Sequence, residues 1–563
     1  MKRRKVKRVL KYTLIVILIL LIITIWPSLF YKAEKNDNPM PAYYKKGVYH
    51  LHSVFSDGTG DLRKITGAAS SRNLDFVILT DHGRPNIPCV KATAYYDHVL
   101  LIGGSEFSLN CGHLAAAGFS IPGYIFPPEP QEAINDVIAD KGVCFISHPY
   151  DRIAWTDWDV KDFTGIEVLS AASCAGKLSI FQFLAFLARY PFNHNYALLK
   201  TLHYPEKNIA KWNEINRRGK YYGIYALDAH AKLPVTKKIR FHFPSYKAMF
   251  EILTVYVKVD EEFSQEAGHA ESSIILSLKK GHFFNVIEAI APANGFEASF
   301  TGEDGNIIEM GDSSDAEAGV IKITLPFTFA TDILVKRNGG LYKKIPGNTK
   351  KEVNLEVNQP GVYYIEVYVA KNSFKKLPWI LTNPFFLNVK YPGEPQNLEE
   401  DEIELKKLLV DRKNFFKAEP NSSSEGTLSY DVGKADELIT KLKFHLQKEP
   451  GKEDFWSCLA HRENFDFSGF AGMVFEAKSN ERLRFWVELR TTGSEGEKWY
   501  SHSFLCGREW KRIHIPFDRF HLVYGLREKP EISKINSIFF TINNGIAYPG
   551  TEGALELKSI GLY

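Results

Sequence analysis

Short apolar runs alternate with helix-like stretches between residues 46 and 290, a pattern typical of an α/β domain. The runs have the length of buried strands and cover residues 47–49, 74–79, 99–102, 143–146, 166–169 and 221–227. Between two of these runs, Ala133, Ile134, Val137 and Ile138 share one face of a predicted helix. Strand–helix alternation over this length predicts a parallel sheet that closes, or nearly closes, into a barrel.

The pattern then changes to short alternating strands separated by Gly and Asn turns. Residues 291–395 are predicted to form a β-sandwich, and residues 396–413 a charged helical connector. Residues 414–563 are again all-β, because Phe485, Val487 and Leu489 alternate onto one face of a strand. Three structured regions suit a chain of 563 residues, which is too long for one ordinary core.

The first 45 residues predict a membrane anchor. Residues 1–12 form a basic tail, 13–30 an apolar helix and 31–45 a polar stalk. Eighteen helical residues span about 27 Å, close to the apolar thickness of a bilayer. The preceding positive charges predict a cytoplasmic N-terminus and an exported body. An uncleaved anchor is favoured over a buried core helix and over a cleaved signal peptide.

Charge and cysteine content restrict the class of protein. Of the 70 Lys and Arg residues, seven lie within the first eleven positions, which leaves 63 basic against 66 acidic side chains in the body. Nothing in this balance predicts a nucleic-acid partner. Six cysteines are too few for a disulfide-built protein of this length. Cys458 and Cys506 lie in the same region, where both a disulfide and two buried thiols are possible.

Residues with metal-binding side chains follow the apolar runs at their carboxyl ends. His50 and His52 follow the first run, His82 the second, Glu106 the third, His148 the fourth, and Asp228 and His230 the sixth. The carboxyl ends of parallel strands meet on one rim, so these residues are expected to converge there. So many imidazoles and carboxylates on one rim would be costly without cations. Mixed His and carboxylate ligands favour Zn, Mn or Fe over Ca.

The motifs resemble those of the PHP (polymerase and histidinol phosphatase) superfamily, in its exported or membrane-associated metallohydrolase branch. The resemblance covers residues 46–290 and rests on nine positions that occur in order: His50, His52, Asp57, His82, Glu106, His113, His148, Asp228 and His230. It implies a distorted seven-stranded barrel with two or three divalent metal ions. The segment 378–385 at the end of the β-sandwich is also similar to that branch.

Carried over position by position, the resemblance implies three metal sites. The first site would use His50, His52, Glu106 and Asp228. The second would use His113, His148 and a bridging Glu106, and the third Asp57, His82 and His230. Asp57 stands where some members have His, and His113 is expected on a loop.

The resemblance also implies a mechanism in which Glu106, Asp228 and His148 are catalytic. A hydroxide bridging the first two metals would attack phosphorus in line, while the metals stabilise the developing charge. Arg84 and Arg152 are candidates to hold the substrate phosphate, with ordinary surface arginines as the alternative. Lys232 has the same two interpretations.

Two further features have open interpretations. Residues 180–189, within an insertion at 174–215, are apolar around most of a helix, which suits a lid, a membrane-surface helix or a buried helix. Residues 414–563 resemble galactose-binding-like, carbohydrate-binding jelly rolls. Their candidate sugar-stacking residues, each of which also suits a buried core position, are Trp456, Trp486, Trp499, Tyr500 and Trp510.

Three functions are therefore weighed. The leading one is a membrane-anchored exported phosphoesterase that acts on a phosphate mono- or diester, with an envelope glycan or lipid head group as a possible substrate. The second uses the same metals to hydrolyse a carboxylic ester, carbamate or amide. The third is a non-catalytic glycan-binding surface protein, and the complete ligand set argues against it.

Overall fold

The computed structural model describes residues 2–234, 240–259, 263–327, 329–370, 372–391, 404–433, 437–447, 454–493, 496–522 and 528–563. Within them the chain divides into two compact units, each described separately below. The first unit comprises Met1–Ser120 and Ile134–Pro392, and the second comprises Ile121–Ala133 and Gly393–Tyr563. The domain bounds predicted within the first unit stay a prediction.

The N-terminal helix, α1, is long and apolar. It spans Lys2–Phe30, and its part from Leu10 to Phe30 is long and apolar enough to cross a membrane. Only 6% of this apolar stretch is buried inside the protein, so it is not the core helix that was one alternative.

The first half of the chain after α1 alternates strands and helices as predicted. Its elements are β1 (Tyr44–Leu51), α2 (Leu62–Ser70), β2 (Phe76–Leu79), α3 (Ile87–Val90), β3 (Ala94–Tyr96), β4 (Val99–Leu109), β5 (Gly112–Ala117), α4 (Pro130–Ala139), β6 (Val143–Ile146), β7 (Gly165–Ser170), α5 (Ala171–Gly176), α6 (Ile180–Arg189), α7 (His194–Leu199), α8 (Glu206–Ile215), β8 (Tyr222–Ala226), β9 (Leu233–Pro234), β10 (Arg240–Phe241), α9 (Tyr246–Met249), β11 (Leu253–Lys258), α10 (Ala267–Lys280) and β12 (Phe283–Ile287).

The main sheet of this region is mixed, whereas the sequence pattern predicted a parallel one. Its strands run in the order β12-β11-β1-β2-β4-β5-β6-β7-β8. The pairs β1–β2, β2–β4, β6–β7 and β7–β8 are parallel, but β4–β5 and β5–β6 are antiparallel. The difference arises because β5 returns directly from β4 in a hairpin instead of crossing over through a helix, and because β11 runs antiparallel to both β1 and β12.

The carboxyl end of β1 is hydrogen-bonded to the end of β8 and to the residues that follow it. The backbone N–H of Leu227 donates to the carbonyl of Tyr49 at 3.1 Å, and that of Ala229 donates to His50 at 3.2 Å. The N–H of His52 donates back to Ala229 at 3.0 Å. These bonds place the residues that follow β1 beside the residues that follow β8.

The rest of the first unit is built from β-strands, as predicted. They are β13 (Glu297–Gly302), β14 (Ile307–Glu309), β15 (Ser313–Ser314), β16 (Gly319–Thr324), β17 (Thr331–Arg337), β18 (Gly340–Asn348), β19 (Glu352–Val357), β20 (Gly361–Val369), β21 (Ile380–Thr382) and β22 (Phe385–Leu387). Strands β14-β13-β16-β19 form one sheet, and β21 pairs with β12 and so continues the main sheet.

The second unit is a two-sheet β-structure. Its strands are β23 (Lys407–Leu408), β24 (Lys417–Pro420), β25 (Glu425–Val432), β26 (Leu438–His445), β27 (Trp456–His461), β28 (Gly472–Ser479), β29 (Leu483–Gly493), β30 (Gly496–Cys506), β31 (Lys511–Pro516), β32 (His521–Leu522), β33 (Ile535–Asn543) and β34 (Glu552–Leu562). One sheet has the order β25-β26-β34-β28-β31, with β23 beside β34, and the other β24-β27-β33-β29-β30-β32. Apolar side chains such as Phe475, Phe485 and Phe540 fill the core.

One expectation for this region is corrected, and one open alternative is decided. Residues 404–413 contain strand β23 rather than a helix, because β23 pairs with Leu562 and Gly561 at the end of β34. Residues 396–403 of the predicted connector lie outside the described residues. Cys458 and Cys506 are buried free thiols and do not form a disulfide.

The second unit contains a segment from the first half of the chain. In Ile121–Ala133, the Glu129 carboxylate accepts the backbone N–H of Ser503 at 2.9 Å, across 374 positions of sequence. Glu132 lies 3.2 Å from Arg484, whose guanidinium is only 1% exposed. The unit is therefore assembled from two pieces of chain.

Candidate metal centre

Three of the predicted ligands lie directly at strand ends in an uncommon backbone conformation. His50, His148 and Asp228 have φ values of 65°, 28° and 49°. Few residues other than Gly adopt positive φ, and such residues concentrate at functional sites. At His50 the register of β1 against β2 shifts, yet its Nε2 lies 3.1 Å from Nε2 of His52. The backbone at His50, His148 and Asp228 thus turns their side chains toward the cluster of predicted ligands.

Glu106 lies at the centre of the cluster and is almost fully buried. Its Oε1 is 3.0 Å from His148 and 3.2 Å from His113. Its Oε2 is 3.2–3.4 Å from the other group of imidazoles, which comprises His50, His52 and His82. The two oxygens of one carboxylate therefore face two different sets of histidines.

Asp228 and Asp57 lie on either side of His230. Oδ1 of Asp228 is 3.3 Å from His52, and 3.5 Å from His230. Oδ1 of Asp57 is 3.0 Å from Nε2 of His230, and the other oxygen of Asp57 is 3.0 Å from the ammonium of Lys232. The nine predicted ligands thus converge, and Lys232 binds Asp57 in this structure.

His113 lies on a strand, which corrects the expectation of a loop. It belongs to β5, where it is paired with Ser108 of β4. The backbone N–H of Ser147 donates to the carbonyl of His113 at 3.0 Å, so the strand end beside His148 is held against β5. His113 and Glu106 are therefore presented by the two strands of a single hairpin.

Sequence reasoning missed Glu167, a fully buried residue of β7. Its Oε1 is 2.5 Å from Nδ1 of His50, and its Oε2 accepts the backbone N–H of His148 at 2.8 Å. A carboxylate on the far nitrogen of a metal-binding imidazole fixes the ring and increases its basicity. A signal was available, since Glu167 is the one charged residue in the apolar strand Gly165–Ser170.

Two other positioning residues hold the loop that carries Asp57. The buried carboxylate of Asp81 accepts hydrogen bonds from the backbone and hydroxyl of Ser53 at 2.8 and 2.6 Å. The hydroxyl of Tyr246 donates to the carbonyl of His52 at 2.7 Å. At Gly58 an added Cβ would lie 2.2 Å from the same carbonyl, so only Gly fits there.

The donor atoms fit divalent cations. Three sets of ligand atoms lie within 4.8 Å of one another, namely His52, Asp57, His82 and His230; His50, Glu106 and His148; and His50, His52 and Asp228. Several buried donor atoms make no hydrogen bond to any described residue: Nδ1 of His52, His82 and His113, and Oδ1 of Asp57. Buried polar atoms are almost always satisfied, so these atoms are suited to an ion. Imidazoles and carboxylates match Zn, Mn or Fe.

The electrostatics keep the carboxylates anionic. Burial alone would raise the pKa of Glu106, but the imidazoles around it, His50 first, lower it well below its ordinary value. The pKa of Asp228 is lowered against the effect of burial by His50 and His52. Both acids therefore remain charged at neutral pH, as cation ligands must.

Without a cation, the same carboxylates favour protonated imidazoles. Burial alone would lower the pKa of His52, but hydrogen bonds to Asp228 and Glu106 raise it to about 9. The hydrogen bond to Glu106 likewise outweighs burial at His148 and raises its pKa to about 9. Protons and metal ions therefore compete for these nitrogens.

A cavity of about 190 Å³ opens at the cluster. Its lining includes His113, His148, Asp228 and His230, and also the exposed Arg152. Arg84 does not line this cavity, so only one of the two predicted phosphate-binding arginines lies beside it. The substrate-binding role of both arginines stays a prediction.

A scan against protein-family models finds no match, and a search of curated proteins finds none. Among solved structures, the chain is similar to a two-domain protein from Bacteroides vulgatus that contains a predicted PHP-like metal-dependent phosphoesterase. The identity is 14% and the TM-score 0.28, over 63% of this chain and 99% of that one.

A second similarity is to carbohydrate-binding modules. A family 11 module of a Clostridium thermocellum cellulosomal cellulase is 17% identical, with a TM-score of 0.23, over 28% of this chain and 92% of that one. A family 30 module from the same organism is 13% identical, with a TM-score of 0.21, over 26% and 91%. At these scores the similarities carry no argument about function, which rests on the geometry of the site.

Proposed function

We propose that this protein is a membrane-anchored, exported, metal-dependent phosphoesterase of the PHP superfamily, which hydrolyses a phosphate mono- or diester at the Glu106 cluster. One observation carries the proposal: the two oxygens of Glu106 face two different sets of imidazoles, at 3.0–3.2 Å and 3.2–3.4 Å. A carboxylate shared in this way suits a pair of cations a few Å apart, the arrangement used in many phosphoester hydrolases.

Each residue of the cluster has a role in this proposal. His50, His52, Asp228 and Glu106 would hold the first cation. Glu106, shared, would hold the second with His113 and His148, and the third would be held by Asp57, His82 and His230. Bound divalent cations supply a Lewis acid for phosphoryl oxygens and lower the pKa of water. Arg152, exposed at the rim of the cavity, would pair with a non-reacting phosphoryl oxygen and orient the ester. No other side chain is needed as a separate general base.

The proposed location follows from α1. With Leu10–Phe30 across the membrane and the basic tail inside, the metal centre would lie outside the cytoplasm. Protease treatment of intact cells tests this orientation. The body of the protein should be digested, and protection of the body would refute the proposed export.

Hydrolysis is tested with the purified full chain in detergent. Substrates are p-nitrophenyl phosphate, its bis ester and p-nitrophenyl acetate, each with a chelator and after addition of Zn, Mn or Fe. Phosphoester hydrolysis that the chelator abolishes supports the proposal. Hydrolysis confined to the acetate would instead support a carboxylic ester, carbamate or amide hydrolase.

A matched pair of variants links the activity to the cluster. Glu106 and Glu366 are both 1% exposed, but Glu366 lies on β20 and binds the hydroxyls of Tyr204 and Tyr368. Glu106→Gln should abolish phosphoester hydrolysis, whereas Glu366→Gln should retain it. Equal activities of the two variants would refute the role of Glu106.

For residues 414–563 we propose carbohydrate binding through Trp499. Of the predicted aromatic candidates, Trp486 and Tyr500 are buried, whereas Trp499 is 39% exposed with Arg490 stacked 3.8 Å from its ring centroid. A glycan-array measurement on the full chain and on Trp499→Ala tests this. Tight glycan binding by a catalytically inactive protein would favour the non-catalytic alternative.

A further inference from the structure

Helix α6 presents an apolar face to solvent. Ile180, Phe181 and Leu184 are 63%, 81% and 53% exposed, and their spacing places them side by side on the helix. On another side of the helix, Phe186 is buried and packs on Phe243, with ring centroids 5.6 Å apart. The helix is therefore not the buried helix that was one interpretation of the sequence. Such a face is stable only where another apolar phase covers it.

The contacts between α6 and α1 indicate that the apolar phase covering this face is a lipid bilayer. Arg189, the last residue of α6, donates from Nε to the carbonyl of Thr24 at 3.1 Å. Asn193 donates to the carbonyl of Tyr31 at 3.0 Å, directly after the end of α1. Thr24 precedes Phe30 by six residues, about 9 Å along the helix axis. If α1 crosses a bilayer, α6 therefore lies at the depth of its outer surface.

The charged residues of the chain segment that contains α6 suit the surface of a membrane that contains anionic lipids. Between Glu167 and Glu206 the chain contains Lys177, Arg189 and Lys200 and no acidic residue. Basic residues beside an apolar face are typical of helices that lie in the plane of a membrane.

An apolar cavity lies beside the metal centre and is lined in part by α5 and α7, the helices that precede and follow α6 in the chain. It measures about 280 Å³ and is lined mainly by apolar side chains of α5, α7, α9 and the segments after α7 and β8, among them Ala172, Leu198, Leu202, Leu227 and Met249. Asp228 and His230 line this cavity and the smaller metal cavity as well. A molecule with its phosphate at the metals can therefore place an apolar group beside it.

From these features we infer that α6 rests in the outer leaflet, and that the substrate is a phosphoester lipid of the same bilayer. The apolar part of the lipid enters the cavity beside Asp228, and its phosphate reaches the Glu106 cluster. The membrane position of α6 rests on the proposed membrane span of α1, and the identity of the substrate rests in addition on the proposed phosphoesterase function.

The membrane position is tested on the full chain reconstituted into phosphatidylcholine–phosphatidylglycerol vesicles. All six native cysteines are buried, so a nitroxide attaches selectively at Phe181→Cys, or at Ser272→Cys, an exposed position on α10. The label at 181 should be accessible to oxygen and shielded from a water-soluble nickel complex, and the label at 272 accessible to the nickel complex. Equal nickel accessibility at both positions overturns the docking. Strong spin–spin coupling between 181 labels also overturns it, because a second copy then covers the face.

The substrate is tested with phosphatidic acid and phosphatidylglycerol in the same vesicles, against p-nitrophenyl phosphate and its bis ester in solution. The double variant Phe181→Glu, Leu184→Glu should lower the rate on vesicle lipids about tenfold or more, because carboxylates do not enter the bilayer. Its rate on the soluble esters should stay unchanged. The variant Phe181→Leu, Leu184→Ile keeps the apolar face and should retain the lipid rate.

The two proposals fail in different ways. If soluble esters are hydrolysed but vesicle lipids are not, the lipid substrate is overturned and the phosphoesterase remains. If no phosphoester of either kind is hydrolysed, the proposed function fails and the lipid substrate fails with it. An equal loss on both substrate classes in the Glu variant also overturns the lipid substrate, because the defect is then general.

Discussion

Glu167 and His50 form a fully buried pair in which a carboxylate oxygen lies 2.5 Å from Nδ1 of the imidazole. This contact leaves Nε2 of His50 facing Glu106 and Asp228, at 3.4 and 3.6 Å. Glu167 therefore selects the nitrogen that His50 offers to a cation, and it also holds the backbone of His148 through its second oxygen.

Glu167→Gln should weaken metal binding about 10- to 100-fold, because the amide no longer supports the charge and tautomer of His50. Metal titration of the purified chain measures this. Glu366→Gln, equally buried but in β20, is the control and should bind metal normally. Identical affinities of the two variants would refute the role of Glu167.

His52→Ala and Asp228→Ala should each remove most of the bound metal and the activity. Nε2 of His52 and Oδ1 of Asp228 lie 3.3 Å apart in the cluster. Each substitution therefore deletes one of two neighbouring ligand atoms. Elemental analysis gives the metal content, and circular dichroism checks that the β-structure stays folded. Normal metal content in both variants would contradict the ligand assignment.

Asp57→Asn should lower the metal stoichiometry by about one and leave the ions around Glu106 in place. The reason is that Asp57 contacts His230, His82 and His52 at 3.0, 3.9 and 3.8 Å but belongs to only one of the three ligand sets. Lys232→Met, which removes the ion pair of Asp57 without removing a ligand, should keep the stoichiometry. Loss of all metal in Asp57→Asn would show that the sites do not fill separately.

The metal-free protein should be most stable between about pH 4.5 and 6.5. The pKa values of Glu106 and Asp228 are lowered, so their contribution is present above about pH 4 and is lost as the pH falls. The pKa values of His52 and His148 are raised to about 9, so their contribution is complete below about pH 6.5 and lost as the pH rises through 9.

With metal bound, the loss of stability at alkaline pH should disappear, because a cation replaces the protons on the imidazoles of His52 and His148. Thermal unfolding from pH 4 to pH 10, with a chelator or with Zn, measures both curves. Calorimetric titration in buffers of different ionisation enthalpy should also show proton release on binding at pH 7. Binding without proton release would contradict the raised pKa values.

The strand pattern predicted that ligand-type residues converge, whereas their grouping into three metal sites was implied only by the resemblance and stays a prediction. Residues that end successive strands share a rim, so the convergence of His52, His82 and Asp228 follows from the strand pattern alone. The strand that carries His113, Gly112–Ala117, is alanine-rich and lacks the β-branched residues typical of strands. Its partner β4 makes it a strand, which is a tertiary effect.

Other features required coordinates because they depend on partners distant in sequence. Glu167 acts on His50 from 117 positions away, and only its charge within an apolar strand distinguishes it. The positive φ of His50 and of Asp228 has no signal in residue type. The exposed face of α6 was ambiguous for a related reason: an apolar helix suits a core and a membrane surface equally well.

The two-piece construction of the second unit has a consequence for biosynthesis. Glu129 leaves the ribosome 374 residues before Ser503, an interval of roughly 20 to 75 s at ordinary rates of translation. During most of that interval the second-unit partners of Glu129 and Glu132, Ser503 and Arg484, have not been synthesised, although the chain on both sides of Ile121–Ala133 can already fold. A nascent chain stalled before residue 503 should therefore be cut by protease within 121–133, and the same bonds should become resistant once synthesis ends.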